Sequence, residues 1–215
     1  TFYDIHENEL VNLVQGGQRW YGEAFDANLT QSFKFSIPNL DVSTPLQVEY
    51  AVANNSSLPG NNFNVSYNGS QVHSLNLSTV GADYIRNTGA FSLNATSSSV
   101  ELVYTFNRPN ASVKAYLDFI QVVGRRGLSF YGNTMLFRDV NSVGVGNVSL
   151  FTISGMSNKT YVWDISSKTN PKWIQGTLSG SVFSFKQSTD TLREFVVFNE
   201  TFAQPDFIKQ VENQD

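Results

Sequence analysis

The sequence predicts an all-β chain, a jelly-roll-like β-sandwich followed by a second, smaller β-sandwich domain. Three observations predict it. Phe, Tyr and Trp number 17, 9 and 3 among 215 residues while only 15% of residues are charged, a balance that suits strands joined by polar turns and is poor in helix formers. Apolar residues recur with period two from residue 31 onward. Clusters of Asn, Gly and Ser punctuate these runs, with no strand–helix alternation of the kind that builds a parallel α/β sheet.

Taken in order, the opening stretch "GGQRWYGEAFD", residues 16–26, reads as a strand with Trp20, Gly22 and Ala24 on one face and Arg19, Tyr21, Glu23 and Phe25 on the other. Trp20 is expected to close the core, with Arg19 and Glu23 holding the exposed side. Phe33, Phe35 and Ile37 then share a face against Lys34 and Ser36, and Leu46, Val48, Tyr50 and Val52 share one against Gln47 and Glu49. Phe63, Val65 and Tyr67 lead into Asn68-Gly69, the preferred pair for a two-residue type I′ hairpin, and "QVHSLNL" returns. That register sets Tyr67 opposite Ser70, Val65 opposite Val72, and His73 opposite Asn64 on the solvated side. "GAFSLNA" and "SSVELVYTF" follow, the latter aligning Val100, Leu102, Tyr104 and Phe106. "SVKAYLDFIQVV" carries Val113, Ala115, Leu117 and Phe119 on one face and Tyr116, Ile120 and Val122 on the other, and so reads as a central strand. About eight strands argue for a jelly roll over residues 1–124.

"GRRG", residues 124–127, places two charges between glycines and reads as a domain boundary. Over residues 125–204 the pattern restarts in "LSFYGNTMLF", "NVSLFTIS", "TYVWDI", "KWIQGTL", "SVFSFKQ" and "REFVVFNE", the strands of a small β domain. From Pro205 the composition changes. Pro205, Asp206 and the spaced Phe207, Ile208 and Val211 predict a linker or helix start over residues 205–215.

A formal charge of -4 offers no basic field to neutralise phosphates, so nucleic acid is excluded as a partner. No apolar run is long enough to span a bilayer, the start lacks a signal peptide and neither end carries a lipidation motif. The sequence thus predicts a soluble chain, cut from something longer. Cysteine is absent, which removes disulfides, thiolate metal sites and a cysteine nucleophile from this chain. Asn-x-Ser/Thr triplets recur from Asn28 to Asn199, read here as an Asn-, Ser- and Thr-rich β surface of a bacterial protein.

Candidate chemistry is sparse. His6 and His73 are the two histidines, without the spacing of a zinc motif or the context of a Ser-His-Asp triad. "DVNSVGVGNVSL" begins like a calcium loop at Asp139 and Asn141 but has Val143 and Leu150 where oxygen ligands are required. Asp118 interrupts the face of Tyr116 and Ile120, which marks it either as a paired structural acid or as the ligand of a structural calcium ion; no other cofactor is expected. Trp20, Tyr21, Trp163 and Trp173 are the candidate binding aromatics. Exposed, they would stack on sugar rings; burial at strand starts is the expectation for residues of this size.

"GGQRWYGEAF", then the run ending "AYLDFIQVVGRRGLSFYGNTMLFRD", then "YVWDISSKTNPK" and "FAQPDFIKQVENQD" resemble, in this order and over nearly the whole chain, a stretch of the PorU family. These are the gingipain-like surface peptidases of the type IX secretion system of Bacteroidetes, and the stretch is the one just upstream of their peptidase domain. The resemblance implies that a peptidase domain with a His-Cys dyad follows the "VENQD"-like segment, removes C-terminal sorting signals from secreted cargo and helps attach the cargo to surface lipopolysaccharide. It implies for this chain an accessory, non-catalytic role at the cell surface, outer-membrane-associated. The partners implied are the downstream peptidase domain, secretion components, cargo and surface glycans. None of the family's catalytic residues falls in the matching region. "DTL" at Asp190 resembles an O-glycosylation acceptor of Bacteroidetes, which would place a glycan on Thr191. The alternative reading is a carbohydrate-binding jelly-roll module.

Overall fold

The structure, a computed structural model, describes residues 1–201 apart from 15, 17, 18 and 82. The helix expected from Pro205 lies outside the described residues, as do Gly17 and Gln18 of the opening stretch. The chain divides into two compact units, the first Thr1–Gly127 and the second from Leu128 onward.

The first unit contains β1 (Phe2–His6), β2 (Ala24–Phe25), β3 (Thr30–Ser36), β4 (Leu46–Asn54), β5 (Asn62–Tyr67), β6 (Ser70–Asn76), β7 (Ile85–Leu93), β8 (Ser99–Asn107) and β9 (Ala115–Gly124). They form two antiparallel sheets, ordered β1-β9-β4-β7, with β2 also on β9, and β3-β8-β5-β6. This is the jelly-roll order, in which chain-distant strands lie side by side. The alternation at residues 33–37, 46–52, 63–67 and 100–106 is what the two sheets bury between them. Each of these strands presents its apolar face to the other sheet and its polar face to water, which is the arrangement period-two patterning favours.

The opening stretch behaves differently from its expectation. Of its described residues only Ala24–Phe25 form a strand, although Gly22 N donates to Leu117 O at 2.7 Å and Leu117 N to Glu23 O at 3.0 Å. Pairing along β9 turns the Tyr21 and Phe25 face inward. Phe25 is fully buried and meets Phe63 edge-on at 4.9 Å, whereas Trp20 is 45% exposed and does not close the core. Glu23 is held by His6 Nε2 at 2.9 Å and Asn8 Nδ2 at 2.7 Å rather than standing free on an outer face.

Two bulges reset the side-chain parity of long strands. In β9, Phe119 pairs with Ala51 but Leu117 pairs with Val52, so Asp118 is the extra residue. Ala115, Leu117, Ile120 and Val122 consequently all face the core, and the two-faced apolar pattern expected there is one face that changes parity. In the β5–β6 hairpin, Asn68 and Gly69 have φ of 49° and 76° and form the expected two-residue turn with Tyr67 opposite Ser70. Val72 is then an extra residue: Val65 pairs with His73 rather than Val72, and Phe63 with Leu75. An unbroken ladder would set polar Ser74 opposite Phe63. The bulge instead gives Phe63 an apolar neighbour and turns His73 toward the core, overturning its expected place in solvent.

The second unit contains β10 (Thr134–Arg138), β11 (Val148–Ile153), β12 (Thr160–Asp164), β13 (Lys172–Trp173), β14 (Thr177–Ser179), β15 (Val182–Ser188) and β16 (Glu194–Asn199), with a short 3₁₀ turn, Val140–Ser142, capped by Asp139. One sheet is ordered β10-β16-β12-β13 and the other β11-β15-β14. "KWIQGTL", expected as one strand, is two strands in different sheets. The chain crosses at Gly176, where a Cβ would stand 2.5 Å from the Phe183 ring and 2.6 Å from Ser184 O. Phe137, Phe151, Phe185 and Phe195 fill the core with ring separations of 5.0–5.9 Å.

Candidate functional site

In β12 and β16 alternate residues point out of the second unit's core, and the outward set is aromatic. Val162 and Asp164 are buried, which leaves Tyr161 and Trp163 on the outer face; Phe195 and Val197 are buried, which leaves Val196 and Phe198 there. The pairing Tyr161↔Phe198 and Trp163↔Trp173 gathers the rings. Tyr161 lies 5.8 Å from Phe198 and 6.4 Å from Trp173, and Trp163 lies 6.1 Å from Phe198. Together the four line a shallow hollow of about 290 Å³. Trp173 is 59% and Trp163 37% exposed, so neither is buried in the core of the unit. Ion pairs on the same sheet join Arg138 to Glu194 at 2.7 Å and Lys159 to Glu200 at 3.7 Å. Tyr161 Oη donates to Glu200 Oε1 at 3.3 Å, and burial together with that carboxylate raises the phenol above its ordinary range. These rings are the candidate binding surface of the second unit.

The other nominated residues belong to the first unit. Trp20 is exposed and Tyr21 buried, its backbone bridging to Val11 with N–O distances of 2.9 Å. Asp118, the bulged residue, accepts from Arg86 Nε at 2.6 Å, and the Arg86 guanidinium lies over Phe119 at 5.7 Å. The bulge turns this acid toward Arg86, which reaches it from β7 across the intervening β4, and the two form an acid–guanidinium pair. Among the described residues no group of three or more His, Cys, Asp or Glu side chains is gathered in one place. Thr191 is exposed.

Sequence reasoning missed three charged clusters. His6 on Glu23 is one. Asp26 is another, receiving Lys114 Nζ at 2.7 Å and Arg108 Nη1 at 3.2 Å; the Lys114 bond foremost lowers its carboxyl below the ordinary range. Asp164 is the third, buried beneath the aromatic sheet, where it accepts from Ser166 N at 2.9 Å and lies 3.7 Å from Arg193 Nη1. Their charged partners lie far away along the chain, so no spacing in the sequence announces them. The outward position of Trp163 was legible once Val162 was assigned to the core.

No protein-family model matches the sequence, and no curated protein matches it. Among solved structures the chain is similar to dimeric latent PorU from Porphyromonas gingivalis, with a TM-score of 0.81 and 21% identity over 99% of this chain and 21% of that one. The two share a fold. The chain spans about a fifth of the length of the PorU chain. Fainter likenesses join it to a CBM36 carbohydrate-binding module in complex with calcium and xylotriose, with a TM-score of 0.38 and 16% identity over 57% of this chain and 100% of that one. A CBM36-1 domain of a xylanase from the hindgut metagenome of Trinervitermes trinervoides also has a TM-score of 0.38, with 12% identity over 58% of this chain and 98% of that one. At that TM-score neither carries an argument.

Proposed function

We propose that this chain is an accessory, non-catalytic β region of a cell-surface, gingipain-like cysteine peptidase that processes C-terminal sorting signals in type IX secretion. The observation that supports it most is the fold shared with latent PorU along 99% of the chain, taken together with the sequence resemblance to the stretch before that family's peptidase domain. The chain has no cysteine, so the nucleophile of such a peptidase belongs to another part of the protein. On this reading the region carries and orients the peptidase domain and offers surfaces to cargo or secretion components at the outer membrane.

Two measurements test it. The coding sequence beyond Asp215 is expected to encode a gingipain-type domain, and the isolated chain is expected to process a sorting-signal peptide no faster than a heat-denatured control. Turnover above that control overturns the accessory role.

A second reading, carbohydrate binding, draws support from the exposed Trp163 and Trp173, whose indole faces suit the C–H-rich faces of sugar rings. It assigns the site to the second unit rather than to the jelly roll. A glycan array probed with the chain and with its Trp163→Ala, Trp173→Ala form tests it: binding that survives both substitutions removes the reading.

A further inference from the structure

His73 occupies an unusual place for an ionisable side chain. It sits on β6, the edge strand of one sheet of the first unit, and the Val72 bulge beside it turns the ring inward. There it stacks on Phe91 of β7 at 4.9 Å and 12° and meets Tyr50 of β4 edge-on at 5.9 Å and 86°. β7 is itself the edge of the opposite sheet, so the His73–Phe91 stack joins the two sheet edges along one side of the sandwich. Among the described residues the buried His73 Nε2 has no hydrogen-bond partner.

The groups around the ring determine what a proton would meet. Tyr50 is the titratable neighbour from β4 and Tyr104 of β8 lies behind it, 5.0 Å from Tyr50. Burial pushes both phenols far above their ordinary range, so neither supplies negative charge. Phe91 from β7 and Val65 from β5 carry none. A protonated ring gains some cation–π attraction from Phe91 but presents a charged N–H at the buried Nε2 with no acceptor, and the cost of leaving that donor unsatisfied outweighs the attraction. Desolvation accordingly lowers the affinity of His73 for a proton.

We infer that His73 makes β6 an acid-sensitive latch: the neutral ring holds this edge strand against β7, and protonation releases the ring and the strand from the seam. The sign follows from linkage. The folded state binds the proton less readily than the unfolded chain, whose histidine titrates near pH 6.5. Stability is therefore fully present above about pH 6.5 and is lost as pH falls from there through the folded-state value. An edge strand can open locally, because among the described residues β6 pairs with β5 alone.

Hydrogen exchange of the β6 amides, corrected for intrinsic rates, tests the latch in the 215-residue chain. Opening is expected to increase about tenfold per pH unit below pH 6.5, the slope of one linked proton, until the folded-state value is reached. In His73→Phe, which keeps an aromatic ring on Phe91, that dependence should vanish. The same pH course in both proteins overturns the proposal. Should the variant fail to fold, NMR titration of the unsubstituted chain decides: a His73 ring that titrates at or above the ordinary histidine value overturns the latch, and a value below it supports it.

Discussion

Trp20 and Phe25 share one irregular segment and meet opposite surroundings, the indole 45% exposed and the phenyl ring fully enclosed. Phe25→Ala is expected to destabilise the first unit by about 3–5 kcal/mol, since the space beside Phe63 cannot refill. Trp20→Ala is expected to lower stability by about 1 kcal/mol or less. Thermal unfolding of the two variants checks the order, and a lower midpoint for Trp20→Ala than for Phe25→Ala would mean that the segment's faces are reversed. Asp118 invites a second test. Because Arg86 already faces its carboxylate, EDTA is expected to leave the unfolding midpoint unchanged, while Arg86→Ala should cost about 3 kcal/mol by stranding a buried acid. A midpoint that rises with added calcium would restore the metal reading.

Among the elements, strands whose alternation holds from end to end were legible from sequence, as β5 and β8 illustrate, because one apolar face suffices to orient them. Strands that change parity were not. In β9 the spacing of Leu117 to Ile120, and in β6 that of Val72 to Leu75, departs from two by a single residue, and that departure is the local signature of a bulge. β1 escaped notice because its residues are only half buried and depend on β9 for partners. Pairing between β4 and β7 also relies on a glycine. Tyr50 lies across Gly89, where a Cβ would come within 2.5 Å of the ring, so Gly89→Ala should displace Tyr50 and cost about 1–3 kcal/mol. Urea unfolding measures this, and an unchanged midpoint would indicate that the ring swings aside without strain.

At the scale of the whole molecule, each unit has a core drawn from its own residues, one centred on Tyr50, Phe63 and Tyr104 and the other on Phe137, Phe185 and Phe195. A fragment of residues 1–127 and another of residues 128–215 are each expected to unfold cooperatively, followed by near-ultraviolet circular dichroism. A fragment that lacks fixed aromatic signals would show that its core depends on the rest of the chain. Taken by itself, the sequence determined the all-β class, the Asn68-Gly69 turn, the inner faces of the regular strands and the absence of a cysteine nucleophile, because each of these depends on residues close in the chain or on composition alone. Only the tertiary structure decided that Trp163 and Trp173 stand on an open face, that Asp118 meets Arg86, and that His73 turns inward. Those outcomes depend on which strands become neighbours and where a ladder gains a residue, and both are settled when the two sheets of a sandwich close over the largest apolar area they can bury.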